Sequence, residues 1–578
     1  MVIQMKKKMT PMLFAIVLIF VIAAVAFLGK LIGKYTYSSE RADLNEYYGI
    51  NEENDVGIVL QDNIIEEKAK LIDDRCYFSL PTVEKYFTDR FYVNNDEQIL
   101  LYTTPTDVMR VNIGDGSNVI YVSGVENPVD YKAALYVGDI LYIAADYVKT
   151  YVNLEYELYK EPAHVQVYTQ WGTIDEAEIT KMTSVRYQGG VKSDILRELE
   201  KGEKVTVLES LENWSKVKTS DAYIGYVQNK YLGDMVQVQQ QPVTDAMEIN
   251  YTSIHRDGMI NMAFHQVFES NANTNPQSVL ANSKGVNVIC PTWFRLSDST
   301  GNFTSLASPG YVANAHAMGV EVWALITDVD SQQIYGTDID YLALLSSSEN
   351  RKRLIDGLMA QVDTYGIDGI NIDLEKVKSD AGTHFVQFLR ELSIETRKRG
   401  VVLSVDNYVP TEYTAHYNRK EQGLVVDYIV IMGYDEHYAG GGQAGSNASI
   451  SYVENGIAKT KEYVPAEKII NAIPFFTKVW ESTSEGLKTS TLTMAAQAQW
   501  VADSGVEPVW LDEYCQNYVE YTADGNTVQC WLEDVSSIKV KLQVMRAQEI
   551  AGVAEWKIGI EDPAVWDVIG QYTDGTLE

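Results

Sequence analysis

From Ile249 to Glu578 short apolar runs alternate with longer helical patterns, and no other feature of this 578-residue sequence constrains the fold as strongly. An apolar run with no polar alternate is a strand buried on both faces, and helices between such strands are the crossovers of a parallel sheet. Eight runs fit: Met259–Val267, Val286–Pro291, Glu321–Thr327, Gly369–Leu374, Val401–Val405, Tyr428–Gly433, Lys468–Ile473 and Gly552–Trp556. The helical patterns Asn350–Tyr365, with Leu354, Leu358 and Val362 at spacings of four, and Thr383–Lys398 lie between them. Together they predict an α/β (β/α)8, TIM-type barrel over residues 249–578. The interval Phe476–Glu549 is far longer than an ordinary connection and predicts an α+β insertion.

A chain this long is multidomain. Lys6, Lys7 and Lys8 precede the uncharged run Met12–Leu28, which as a helix spans roughly 25 Å, close to a bilayer's hydrocarbon core. Residues 1–34 therefore read as a cytoplasmic stub and transmembrane anchor, with the membrane as a partner and the remaining domains extracytoplasmic. Ala24-Val-Ala26 also fits the cleavage site of a secreted leader. Residues 35–55 are polar and read as a stalk. In 56–160 the runs Gly57–Leu60, Cys76–Leu80, Gln98–Tyr102, Asn118–Val122 and Asp139–Ala144, with helical stretches Pro81–Phe87 and Ala145–Val152, predict a small α+β module. It resembles the stalk-type domain named after the N-terminal region of copper amine oxidases, without copper ligands. Residues 161–236 hold five short runs, Val185-Arg186, Leu196–Leu199, Lys204–Glu209, Trp214–Thr219 and Tyr223–Val227. The segment Trp214-Ser-Lys-Val-Lys218 with Gly225-Tyr226-Val227 resembles the bacterial SH3 domain, a small all-β barrel. Gln237–Val243 opens a polar linker over 237–248.

The net charge of −33 argues against nucleic acid as a partner, because phosphate binding needs clustered Lys and Arg. Cys76, Cys290, Cys515 and Cys530 form no CxxC motif or Cys/His cluster, so neither a metal nor another cofactor is expected. Cys290 lies in an apolar run and reads as a buried small hydrophobe. Pairing of Cys515 with Cys530 stays open.

The chemistry concentrates in Asp368-Gly-Ile-Asn371-Ile-Asp373-Leu-Glu375. Side chains alternate along a strand, so Asn371, Asp373 and Glu375 share one side and Ile370, Ile372 and Leu374 the other. In a barrel the apolar set packs under the helices and the polar set points inward, with Glu375 at the carboxyl end where barrel enzymes keep their active sites. Stacking polar groups in a barrel interior is costly without a function. Asp368 has the opposite parity and reads as a supporting residue at the strand's start.

The pattern resembles the DGxDxDxE signature of family 18 glycoside hydrolases, the chitinase-like enzymes. Asn371 stands where Asp is usual, as in a bacterial subgroup that digests spore-cortex peptidoglycan. Met432-Gly-Tyr434-Asp435, Gly552-Val-Ala-Glu-Trp556 and Gly559-Ile-Glu-Asp-Pro563 agree in order. The insertion, with Tyr518-Val-Glu-Tyr521 and Trp531-Leu-Glu-Asp534, is similar to that subgroup's insertion domain. The resemblance implies a retaining glycosidase, without cofactor, acting on an N-acetylglucosamine-containing polysaccharide, peptidoglycan before chitin. It makes Glu375 the acid, places Asp373 on the acetamido N–H and Tyr434 on the acetamido oxygen, and sets the sugar's own carbonyl as nucleophile. Asn371 cannot share a proton with Asp373, so a shifted pH profile is expected. Trp556 is expected beneath the sugar and Asp435 on its hydroxyls. Trp293, Tyr408 and Trp480 follow the second, fifth and seventh strands, where they either stack on sugars or pack. A barrel that kept its cleft and lost turnover would instead be a glycan-binding surface protein.

Overall fold

The computed structural model describes residues 2–114, 116–242, 246–273, 275–329, 331–336 and 338–578. It divides into two compact units, one of Met1–Phe91, Gln98–Leu100 and Arg110–Glu248, the other of Tyr92–Glu97, Leu101–Met109 and Ile249–Glu578.

The first unit opens with the helix Val2–Tyr35, whose stretch Leu13–Lys30, of mean hydropathy 2.7, is long and apolar enough to cross a membrane. Two seven-stranded sheets follow. One contains Asp55–Leu60, Arg75–Ser79 and Ile140–Ala144 close to where the apolar runs place them, with helices Leu80–Tyr86 and Ala145–Tyr151. The other contains Thr183–Arg186, Ile195–Leu199, Lys204–Ser210, Trp214–Thr219 and Ile224–Gln228, the five strands expected of the SH3-like barrel. It also gains Thr173–Glu178 paired with Val236–Gln239, so the start of the expected linker is a strand; Val243 lies outside the described residues.

The expected stalk is likewise corrected. Ser38 donates its N–H to the Val191 carbonyl (2.8 Å), Ala42 to that of Ile195 (3.0 Å), and Ile195 to that of Glu40 (2.8 Å). Ile195–Leu199 is the edge of its sheet, and an edge strand's unpaired backbone groups attract such a segment. Asp43 then caps the short helix Leu44–Tyr48, and Tyr48 is fully buried. All four cysteines are free thiols, so Cys515 and Cys530 do not pair.

The second unit is built on eight parallel strands: β1 (Ile260–His265), β2 (Val288–Pro291), β3 (Glu321–Thr327), β4 (Gly369–Asp373), β5 (Val402–Tyr408), β6 (Tyr428–Met432), β7 (Ile469–Pro474) and β8 (Gly552–Trp556). Each pairs with the next, β8 pairs with both β7 and β1, and β2 pairs with β3, which closes the barrel. Gly552 is required at that closure, since a Cβ there would lie 2.1 Å from the Ile260 carbonyl oxygen. Only β5 departs notably from its expected range, running to Tyr408 instead of ending at Val405.

Strand parity creates two cores. Ile370, Ile372 and Leu374 join Leu354, Leu358 and Val362 beneath the outer helices. Met262, Phe264, Trp323, Leu325 and Val430 fill the barrel interior. The helix Ser348–Tyr365 begins where the Ser347 side chain accepts the Asn350 N–H and ends at Gly366 in the left-handed conformation. After β7 the chain inserts an antiparallel sheet of Phe476–Thr483, Gly486–Thr493, Val509–Leu511, Gln516–Ala523 and Asn526–Trp531, with the helix Met494–Ser504. The helix Val535–Ala547, expected within the insertion, instead lays Ile538, Leu542 and Met545 into the barrel's outer core.

Candidate active site

β4 and β5 run side by side, with Asn371 beside Ser404 and Ile372 beside Val405. Alternation then gives two adjacent inward rows, Asn371–Asp373–Glu375 and Ser404–Asp406–Tyr408. Side-chain hydrogen bonds tie the rows together. The Asn371 amide donates to Ser404 Oγ (3.0 Å) and to Asp406 Oδ1 (2.8 Å). The Tyr408 hydroxyl donates to Glu375 Oε2 (2.7 Å). Just past β3, Asp328 Oδ1 accepts the Glu375 N–H (3.2 Å). The Tyr417 hydroxyl lies 3.1 Å from the carbonyls of Leu374 and Glu375 and fixes the end of β4.

The rows climb from dry to wet. Asn371 is fully buried and Asp373 and Asp406 are 7% exposed, whereas Glu375 is half-buried and Tyr408 reaches solvent. Burial disfavours the charged form of each carboxyl. It pushes Asp373 well above the usual carboxylate range, and the charges of Glu375, Asp406 and Asp328 add to the effect. Burial likewise pushes Asp406 up to about 8, opposed by the Asn371 hydrogen bond. For Glu375 burial raises the pKa, the Tyr408 hydrogen bond opposes it, and Asp328 and Asp435 raise it further. A carboxyl held protonated towards neutral pH is a competent general acid.

Tyr434 and Asp435 follow β6. Burial and the carboxylates around it push the Tyr434 hydroxyl far up, so it remains a donor. Asp435 sits at φ +58° with its side chain 45% exposed, 3.5 Å from Lys478 Nζ. Lys478 lies over the Phe476 ring, which meets Tyr434 edge-on at 6.0 Å. Trp556, half-buried at the end of β8, rests edge-on against Phe264 at 5.3 Å.

Two expected cleft aromatics are elsewhere. Trp293 is 1% exposed and donates its indole N–H to Asn273 Oδ1 (2.7 Å); Trp480 is fully buried and donates to the Gly445 carbonyl (2.8 Å). Both indoles have their large apolar faces covered and their one donor satisfied, the usual packed state of Trp, whereas Tyr408 and Trp556 remain partly exposed. Asp368 lies at the opposite end of β4, where its Oδ2 takes the Val322 N–H (2.8 Å) and meets His316 Nε2 at 2.7 Å, tying strand to helix. Sequence reading missed Asp328, Asp406 and Lys478. Asp406 was signalled by Ser404, Asp406 and Tyr408 alternating with Leu403 and Val405, the same pattern that marks β4.

Barrel and carboxyl rows define a (β/α)8 protein whose polar site opens at the carboxyl ends of its strands. The family of glycosyl hydrolases family 18 matches residues 260–561, and the chain belongs to it. A bacterial SH3 domain matches residues 183–233. The glycosylase YdhD of Bacillus subtilis is 28% identical over 253 residues, 42% of this chain and 59% of that protein. The cortical fragment-lytic enzyme of the same organism is 25% identical over 252 residues, 42% of this chain and 58% of that enzyme. The chain thus spans less than two thirds of either relative. The crystal structure of the spore cortex-lytic enzyme SleL of Bacillus cereus aligns over 61% of this chain and 78% of that one, with a TM-score of 0.47 and 19% identity.

Proposed function

We propose that the protein is a retaining glycosidase that cleaves N-acetylglucosamine-containing glycan with the substrate's own acetamido group as nucleophile, and that its polymer is peptidoglycan rather than chitin. The observation that carries this reading is the common face of Asp373 and Glu375, which puts a proton donor and a hydrogen-bond acceptor two residues apart on one inward row. Glu375 protonates the glycosidic oxygen while the acetamido carbonyl oxygen attacks the anomeric carbon, giving an oxazolinium intermediate. Asp373 accepts the acetamido N–H, Tyr434 donates to the acetamido oxygen, and the Glu375 carboxylate then takes a proton from the water that opens the ring with retention. Trp556 forms the apolar floor, and Asp435 and Tyr408 line the rim.

Wall glycan is supported by the cortical fragment-lytic activity named for the relative above, by the bacterial SH3 domain, and by the apolar helix, which we read as an anchor with Lys6, Lys7 and Lys8 in the cytoplasm and the remaining domains outside. The test is turnover of a fluorogenic chitobioside and of purified peptidoglycan by the full chain in detergent. Wild type is expected to release product, and Glu375→Gln to lose about 10³-fold in kcat while still binding glycan. Binding without turnover by the wild type would instead make the barrel a glycan-binding module.

A further inference from the structure

Asp406 takes no part in the steps above, yet it is an acid buried in the barrel interior. The register of β4 and β5, extended one residue past Ile372 and Val405, brings Asp406 beside Asp373 on strands about 4.8 Å apart. Neither carboxyl has an ion-pair partner among the described residues. The groups around them are Thr327 and Asp328 from β3 and its end, Asn371 and Glu375 from β4, Tyr408 from β5, Cys290 from β2, Tyr434 after β6, and Tyr341 and Tyr417 from the helical turns that follow β3 and β5; Ser404 lies beside Asn371. The lysines near this cluster act on other groups, Lys376 on Glu375 and Asp328, and Lys478 on Asp435. Two adjacent carboxylates with little access to water and no counter-ion cannot both stay ionised.

We infer that Asp373 and Asp406 form a carboxyl pair holding a single proton, which makes Asp406 a positioning residue for the reaction. This rests on the proposed glycosidase reading and deepens it. The neutral Asn371 amide donates to Asp406 Oδ1 and so favours the negative charge there, leaving the proton on Asp373 in the free protein. When an acetamido N–H approaches Asp373, negative charge becomes favoured on Asp373. The proton then leaves the Asp373 O–H bond and joins an Asp406 carboxyl oxygen. The pair's charge stays at one negative unit throughout, and no proton is exchanged with solvent. Burial raises the proton affinity of both carboxyls, as a pair that keeps one proton requires. Position 371 is an amide because the acid that partners Asp373 comes from the neighbouring strand.

Asp406→Asn preserves shape and hydrogen bonding but removes the second carboxyl. On the fluorogenic chitobioside it is expected to lower kcat at least tenfold with KM within twofold, and to move the alkaline limb of the kcat–pH profile by a pH unit or more. The exchange variant Asn371→Asp/Asp406→Asn restores two carboxyls on one strand and is expected to recover most of the lost kcat. It carries the test if Asp406→Asn alone does not reach the wild-type Tm. A folded Asp406→Asn with wild-type kcat and pH profile, or a folded exchange variant as impaired as Asp406→Asn, would overturn the pair. A wild-type chain that turns over no substrate would refute the glycosidase reading beneath it.

Discussion

Glu375 stands where the barrel interior meets solvent, and its proton affinity is a balance between burial and the Tyr408 hydroxyl. Tyr408→Phe tests that balance with a definite sign. The hydroxyl stabilises the carboxylate, so its removal raises the Glu375 pKa further. As the acid of the proposed first step, Glu375 must be protonated, so kcat/KM is expected to fall as pH rises through its pKa. The alkaline limb of kcat/KM is therefore expected to move to higher pH by about one unit, the scale of one charge-assisted hydrogen bond; a limb that stays put or moves to lower pH contradicts the assignment. The inward row of β4 was legible because Ile370, Ile372 and Leu374 leave no doubt about parity. The matching row of β5 carried the same alternation, but the apolar run ends at Val405 and the expected strand stops there, three residues short of Tyr408. A functional barrel interior is where hydrophobic patterning fails, since inward positions are polar for the sake of chemistry rather than exposure.

At the scale of elements, the eight strands were legible because strands covered on both faces are continuous apolar runs, with helical patterns between several of them. The Asn63–Ile72 strand was not, since Glu66, Glu67, Lys68 and Lys70 interrupt any apolar run. The site of Trp480 was also out of reach, because the antiparallel pairing of the insertion, not the position of the residue after β7, decides that the indole turns inward. Barrel closure can be tested at one atom. In Gly552→Ala the new methyl meets the Ile260 carbonyl oxygen at 2.1 Å and Ile260 Cβ at 2.7 Å, both on the strand it must pair with. The variant is expected to lose about 3 kcal/mol in denaturant unfolding, at the upper end of overpacking costs; a loss below about 0.5 kcal/mol, typical of neutral surface changes, would show that β1 and β8 are not held as described.

For the whole molecule, the sequence separated the barrel from what precedes it but missed how the polar segment after the apolar helix is used. Glu40 and Ala42 bond to Ile195 on the edge of the SH3-like sheet, and a segment with no apolar periodicity gives no sign of such pairing because backbone groups alone make it. The barrel unit also takes in Tyr92–Glu97 and Leu101–Met109, so Arg351, fully buried, donates to the Tyr92 hydroxyl (3.3 Å) and pairs with Glu391 (2.9 Å). Function is therefore best measured on the full chain. The most direct test compares matched aryl β-glycosides that differ only at carbon 2, one bearing an acetamido group and the other a hydroxyl. Release from the acetamido sugar with the β anomer formed first, and none from the hydroxyl sugar, is the predicted result. Equal release from both, or the α anomer first, would contradict a mechanism in which Asp373 and Glu375 act on a sugar that supplies its own nucleophile.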